Sequence, residues 1–298
     1  MGLSDVVSRL AELTGATMIW LRRSQGTTKP AFGASPAIPP AKPQGALPTL
    51  KMPAAAGWAQ GRTPTAAPGL KVNAFATGLK HPRSIHILPG GDVLVAEALT
   101  QQEPIRSLFD YAMFSTMKRA AAVGKSPNRV TLLADRDGDG VAEVRNAFLE
   151  GLNQPFGIAQ VGDTLYIGAT DGVFAFPYKA GANRIAEPGR RLTIFRTGGH
   201  WTRSLLASAD GAKLYVGVGS QTNIADNGLA VEEGRAAIWE LDLANGSNRI
   251  FASGLRNPVG LAWEPRTRAL WTVVNERDGL GDETPPDYLT SVREGGFY

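Results

Sequence analysis

The sequence predicts an all-β fold, a β-propeller, from three observations: a loop–strand–turn–strand phrase that returns four times, further short strands between its copies, and a turn-rich composition. Glycine occurs 35 times and proline 20 times in 298 residues, which favours tight turns joining short strands over long helices. With 43% hydrophobic and 19% charged residues, the chain has material for a sizeable core.

Residues 1–28 hold one apolar stretch, 16–21, with Asp5, Arg9 and Glu12 before it and two arginines after. The stretch is too short to span a membrane, and its charge order is wrong for an ordinary signal peptide. It reads as a weak helix or the remnant of an export segment. Residues 29–68 contain nine prolines and many alanines, a composition that cannot bury enough surface to fold alone and reads as an extended linker. The folded domain is therefore expected over 69–298.

In that domain the first copy of the phrase is Gly78-Leu79-Lys80-His81-Pro82, then a strand, a turn at Gly90-Gly91-Asp92 and a strand ending at Glu97. The second is Gly151-Leu152-Asn153-Gln154-Pro155, with its turn at Gly162-Asp163. The third begins at Gly198-Gly199-His200-Trp201 and turns at Asp210-Gly211. The fourth is Gly254-Leu255-Arg256-Asn257-Pro258, followed by a strand from Leu270. Short strands at 130–133, 172–176, 192–196 and 237–242 bring each unit to roughly four strands and about fifty residues, the signature of a propeller blade. The interval after the first copy is longer because 105–122 intrudes, with helical spacing of Leu108, Tyr111, Ala112 and Met117. This predicts a helical insertion on one rim. Four blades are visible, and 294–298 stop inside what reads as the start of a strand; an open arc exposes sheet edges, so the expectation is a propeller continuing beyond this sequence.

Several function classes have little support. Lysine and arginine total 31 against 27 acids, a formal charge of +4 without a dense basic run, so nucleic acid is not an expected partner. The absence of cysteine excludes disulfides, thiolate metal sites and cysteine nucleophiles. Neither a nucleophile elbow, a phosphate loop nor a dinucleotide glycine fingerprint is present.

Four groups of residues could carry chemistry. His200 follows two glycines in a loop expected to open on the central channel, where an imidazole can remove a hydroxyl proton; it could equally be a loop histidine bonded to a backbone carbonyl. Arg256 and Asn257, in the matching loop of the next blade, offer a fork of donors and an amide suited to a flat, carboxylate-bearing ligand, or else a solvent-facing arginine and a turn asparagine. The oxygen-rich stretch 275–283 contains Arg277 and Asp278 and suits a hard cation, or is a plain acidic loop. Asp135, Asp137, Asp139 and Glu143 alternate around glycine like the start of an EF-hand loop, but Asn146 stands where the twelfth-position acid belongs. A structural calcium site and a solvated hairpin turn both remain open there.

Taken together, these phrases resemble the soluble sugar dehydrogenases that use pyrroloquinoline quinone (PQQ), particularly their sorbosone dehydrogenase-like branch. The likeness covers about 64–298 and is most specific at 199–202, 232–239, 254–258 and 271–278. The resemblance implies a six-bladed propeller, with PQQ and calcium at the top of its channel and a periplasmic location, although residues 1–28 show no clear signal and 29–68 leave room for a membrane tether. It assigns His200 as the base, Arg256 and Asn257 to the quinone, the backbone carbonyls of Arg277 and Asp278 to the catalytic calcium, and, through a looser alignment, Gln154 to the cofactor site. Ser220 stands where the family has a carboxylate that orients the base, and Arg277-Asp278 replace a Gly-Pro pair. The lysine and two arginines that grip the quinone in the family's later blades have no counterpart here. The expected activity is oxidation of an aldose or sugar-derived aldehyde, with electrons passing to an external acceptor. Two other classes are kept: a calcium-dependent lactone hydrolase using Glu97, Glu276 and Asp278 as ligands, and a non-catalytic propeller binding a partner through the 105–122 insertion.

Overall fold

The structure is a computed structural model, and it describes residues 32–33, 35–38, 55–59, 61–101, 104–105, 107–278, 280 and 285–298. The chain divides into two units, Met1–Lys51 with Arg277–Pro286, and Met52–Glu276 with Asp287–Tyr298. Residues 1–28 and most of the expected linker lie outside the described residues. All the strands among the described residues belong to the second unit.

Four antiparallel meanders make up that unit. The first contains β1 (Pro82–Ile87), β2 (Val93–Glu97), β3 (Arg129–Ala134) and β4 (Val144–Glu150). β5 (Gly157–Val161), β6 (Thr164–Ala169), β7 (Gly172–Pro177) and β8 (Arg190–Ile194) form the second. The third has β9 (Leu205–Ala207), β10 (Lys213–Val218), β11 (Ala237–Asp242) and β12 (Asn248–Ser253), and the fourth β13 (Pro258–Trp263), β14 (Leu270–Val274) and β15 (Tyr288–Val292). Each sheet pairs its strands in chain order. First strands of successive sheets touch, β1 with β5, β5 with β9 and β9 with β13. This is an all-β propeller arrangement of four blades.

Alternating apolar residues on both faces of the blades explain the stacking. Leu94, Leu132 and Phe148 of the first blade meet Ile158, Leu165 and Ile167 of the second in one core. Tyr166 and Val173 of the second blade, with Phe195 just after it, meet Leu214, Val216 and Leu241 of the third. Ile238 and Phe251 of the third meet Leu270, Val274 and Val292 of the fourth. Burying each such side chain stabilises the fold by roughly 1.5–3 kcal/mol, so every blade depends on its neighbour. The register slips by one residue between third and fourth strands in all three four-stranded blades, at Val130/Thr131, Val173/Phe174 and Ile238/Trp239. A bulge repeated at that point adds twist where the sheet splays outward.

Three expectations need correction. The strand predicted over 192–196 lies at Arg190–Ile194: the Phe195 amide leaves the ladder to donate to the Asp171 carbonyl at 3.0 Å, and the Arg196 carbonyl is taken by two arginines. The insertion does contain a helix, α1 (Leu108–Arg119), but Leu108 and Tyr111 of its supposed apolar stripe are exposed, because the helix stands outside the inter-blade cores. The fourth blade has three strands among the described residues, not four.

Up-and-down connectivity sorts the loops. The loops leading into β5, β9 and β13 share one face with those joining second to third strands in the first three blades. Loops joining first to second and third to fourth strands lie on the other face.

Candidate functional site

His200 lies in the loop leading into β9, and Ser220 holds its ring at Nδ1. Nδ1 is 2.9 Å from the Ser220 carbonyl and 3.1 Å from Ser220 Oγ. A carbonyl can only accept, and the Ser220 hydroxyl donates to the Thr222 carbonyl at 2.6 Å. Nδ1 therefore carries the proton, and the lone pair of the neutral ring is on Nε2. Ser220, standing where the resemblance has a carboxylate, still orients the imidazole, through its backbone and hydroxyl oxygens.

Backbone bonds connect the two central loops. The His200 amide donates to the Ser220 carbonyl at 3.1 Å, and the Ser220 amide donates to the Arg256 carbonyl at 2.7 Å. Residue 219 must be glycine for this approach, since a Cβ there would lie 2.6 Å from His200 Cβ and closer still to Asn257 Oδ1. His200, Arg256 and Asn257 are thus on one face and in adjoining blades. Asn257 is buried, and its Oδ1 has no hydrogen-bond partner among the described residues. Its carbonyl accepts from the Asn275 amide at 3.0 Å.

The Arg256 guanidinium is half-buried and reaches sideways. Nε donates to the Asn223 carbonyl at 3.0 Å, Nη2 to Asn223 Oδ1 at 2.6 Å, and Nη1 to the carbonyls of Asn275, at 3.2 Å, and Glu276. It ties the 222–224 loop to the end of β14. Gln154, in the loop leading into β5, is also buried. Its Nε2 donates to the Leu99 carbonyl at 2.9 Å, and its Oε1 accepts from Thr170 Oγ1 at 3.3 Å. Thr170 Oγ1 also lies 3.1 Å from the Trp201 carbonyl, and Trp201 Nε1 donates to Thr100 at 2.9 Å. Gln154 thereby joins the first and second blades beside the His200 loop.

Arg277 and Asp278 belong to the other unit, where Arg277 Nε donates to the Asp278 carbonyl at 3.4 Å. Asp135, Asp137, Asp139 and Glu143 occupy the loop between β3 and β4, on the face opposite His200. One ligand oxygen from each lies within 4.8 Å of the others, while the same carboxylates accept amide hydrogens of Arg136, Gly138, Asp139, Gly140 and Val141. Glu97 is wholly buried. Its oxygens accept from Arg129 Nε at 2.9 Å, Arg129 Nη2 at 3.2 Å, Thr131 Oγ1 and the Lys80 amide.

Two residues beneath the His200 loop escaped the sequence reading. Arg203 is fully buried and Arg235 nearly so, at 0% and 5% exposure. Arg203 Nη1 donates to the His200 carbonyl at 2.9 Å and the Thr202 carbonyl at 2.8 Å, and its Nη2 to the Arg196 carbonyl at 3.3 Å. Arg235 Nη1 donates to the Arg196 carbonyl at 2.7 Å; its Nη2 reaches the carbonyls of Gly198, His200 and Ser220 at 2.9, 3.1 and 3.1 Å. Burial, followed by the nearby Arg235 charge, brings the Arg203 guanidinium down to about 9, with Asp171 opposing. Burial brings Arg235 down to about 10 against the pull of Glu232. Both stay cationic at neutral pH. The available signal was weak: Arg203 lies two residues before β9, in a loop where an arginine is ordinarily solvated.

A family model described as TrAA12-like matches residues 122–286. A curated relative from Hypocrea jecorina (strain QM6a), described as a pyrroloquinoline quinone-dependent sugar dehydrogenase, is 27% identical over 236 residues, 74% of this chain and 49% of the relative. An uncharacterized protein of Borreliella burgdorferi is 27% identical over 154 residues, 48% of this chain and 40% of its own length. The chain thus spans about half the length, or less, of these curated relatives. Among solved structures, an iodide structure of the Trichoderma reesei carbohydrate-active enzyme family AA12 superposes with TM-score 0.61 at 24% identity, covering 79% of this chain and 59% of that one. The holo PQQ domain of Coprinopsis cinerea pyranose dehydrogenase gives 0.60 at 20% identity, with 77% and 55% coverage. These superpositions agree with the propeller described above. The matched span is more than half of the sequence and includes His200, Ser220, Arg256 and Asn257, so the chain belongs to the TrAA12-like family.

Proposed function

We propose that this protein is a PQQ-dependent oxidoreductase that oxidises an aldose or a sugar-derived, sorbosone-like aldehyde, with His200 as the general base. The observation that carries the proposal is the double hold of Ser220 on Nδ1, which makes Nε2 the basic nitrogen. Family membership and the H. jecorina relative support the class of chemistry.

The residues present fit the cofactor in one specific respect. Asn257 Oδ1 is buried without a donor, and burying such an acceptor unpaired costs about 1–3 kcal/mol; a ligand bearing an N–H group would offset that cost. Asn257 and Arg256 would hold the quinone, and calcium enters the proposal through the backbone carbonyls of Arg277 and Asp278. When bound, the quinone supplies a two-electron acceptor, and calcium supplies Lewis-acid polarisation. In the substrate, the O–H proton passes to His200 Nε2, the C–H bond breaks with its electron pair leaving as hydride, and a C=O bond forms. Ser220 holds the ring through this transfer, and its carbonyl stabilises the imidazolium produced. His200 would return its proton to solvent, while the hydride would be taken up by the bound quinone, whose two electrons and remaining proton would pass to an external acceptor and solvent.

Glu97 bears on the lactone hydrolase alternative. Both of its oxygens are committed to Arg129, Thr131 and the Lys80 amide, so metal ligation there would break a buried ion pair. Membrane tethering and periplasmic location stay proposals drawn from the resemblance; among the described residues no helix is long and apolar enough to cross a membrane.

The test is reconstitution with PQQ and calcium, followed by dye reduction with glucose, sorbosone and simple aldehydes. His200→Ala is expected to lower kcat by roughly 10²–10⁴-fold, the usual contribution of a positioned general base. Undiminished rates in that variant would remove the proposed base.

A further inference from the structure

Two buried guanidinium groups lie under the His200 loop with no carboxylate in contact among the described residues. Among the described residues the side chains of Arg203 and Arg235 hydrogen-bond only to backbone carbonyls, and the Nε of each is buried and unpaired. Burial of a cation without an ionic partner is costly, so the arrangement calls for an account beyond loop packing.

Both arginines grip the same two points. The Arg196 and His200 carbonyls, at either end of the loop, each accept from both side chains. Arg203 is itself fixed to the second blade. Its carbonyl accepts the Gly157 amide at 3.0 Å, and a Cβ at either Gly157 or Gly168 would collide with that oxygen. Arg235 comes from the third blade, just before β11, so the loop is braced from two blades at once. The link to the ring is direct: the Ser220 carbonyl accepts from Arg235 Nη2 at 3.1 Å and from His200 Nδ1 at 2.9 Å. Sharing one acceptor keeps the guanidinium nitrogen within about 6 Å of Nδ1, a range over which like charges interact strongly when poorly solvated.

We propose that Arg203 and Arg235 are positioning residues for His200, which fix its loop from two blades and hold the imidazole neutral, with Nε2 ready to accept a proton. The inference rests on the reading of His200 as the base and names how the protein keeps that base in working form. Charged groups approach the ring's surroundings from several elements. The loop carries Arg196 and Arg203, the segment before β11 carries Arg235 and Glu232, the lead-in to the fourth blade carries Arg256, and the second blade contributes Asp171. Glu232 binds the residues that follow Ser220, its oxygens being occupied by the Gln221 and Thr222 amides and the Thr222 hydroxyl, and Asp226 of the same loop accepts the Ile224 amide at 3.1 Å. Of these groups Arg235 is the one tied to the ring through a shared acceptor, the Ser220 carbonyl, and a cation at that distance disfavours imidazolium.

The test follows the His200 ring by NMR titration in the full chain, with its signal among the three histidines assigned from His200→Ala. Arg235→Gln and Arg203→Gln are each expected to raise the titration midpoint by about half to one pH unit, while Arg235→Lys, which keeps the charge, stays near wild type. In the reconstituted enzyme the acid limb of kcat/KM should move by the same amount. Glu232→Gln provides an independent arm if the arginine variants fail to fold: removing the opposing carboxylate should lower the midpoint. An unchanged midpoint in folded glutamine variants, or a rise in Glu232→Gln, overturns the inference. The titration needs neither cofactor nor substrate, so the expected shifts without any dye reduction would sink the proposed activity alone. Full activity with unmoved midpoints would sink this inference alone.

Discussion

Gly219 decides how closely the base and the amide of the site can approach. A methyl group there would push against His200 Cβ and Asn257 Oδ1 together, and neither can retreat easily, since one is tied to Ser220 and the other is buried. Gly219→Ala is therefore expected to cost about 1–3 kcal/mol of stability, as overpacking does. Displacing the ring should lower kcat/KM further, by around 10²-fold if the shift approaches 1 Å. Thermal melting beside dye-reduction kinetics separates the two effects; an alanine variant with wild-type kinetics would show that the approach is not needed. At this scale, the sequence made His200, Arg256 and Asn257 visible because each falls at a fixed place in a repeated phrase. Arg203 and Arg235 were not visible in that way. Arg203 lies against Gly157 and Gly168 of another blade, Arg235 is buried by contacts with a loop distant in sequence, and nothing local distinguishes a buried loop arginine from a solvated one.

The repeated phrase was legible at the level of elements because its physical requirement is local. Its leading glycines, Gly78, Gly151 and Gly254, have φ of 69°, 74° and 80°, a left-handed conformation that costs other residues free energy. The end of β8 was less legible, since where that strand stops depends on the Asp171 carbonyl and the arginines of the next blade. The first blade offers a test that needs no cofactor. Burial would raise the carboxyl pKa of Glu97, but hydrogen bonds from Arg129, Thr131 and the Lys80 amide outweigh that effect and hold it below the usual range. Since its folded pKa is depressed, the stabilisation is present above the unfolded value near 4.3 and is lost as pH falls through the lower folded value. Glu97→Gln should lower stability at neutral pH by about 2–3 kcal/mol, less than the ~3–5 kcal/mol typical of a broken fully buried pair, because the Arg129 side chain remains 28% exposed. The variant should also lose this part of the acid sensitivity. Urea denaturation at pH 7 and pH 3.5 checks both; an equal loss at the two pH values would contradict the assignment.

For the molecule as a whole, the meander topology explains why residues distant in sequence meet. Lead-in loops of successive blades fall side by side, so His200 and Asn257 share a face while the acidic loop of Asp135, Asp137, Asp139 and Glu143 takes the other. The blade count and the order of the blades could be read from the spacing of the phrase, because each meander is built from neighbouring segments. The relation of Arg277 and Asp278 to the site could not, since an irregular loop has no period to follow. The most direct test of the shared face is calorimetric titration of PQQ, with calcium present, into the wild-type chain, Asn257→Ala and the opposite-face control Asp137→Asn. Binding to the wild type and the control, with at least a tenfold loss in folded Asn257→Ala, is the predicted result; equal affinity in all three, or no binding to the wild type, would contradict it.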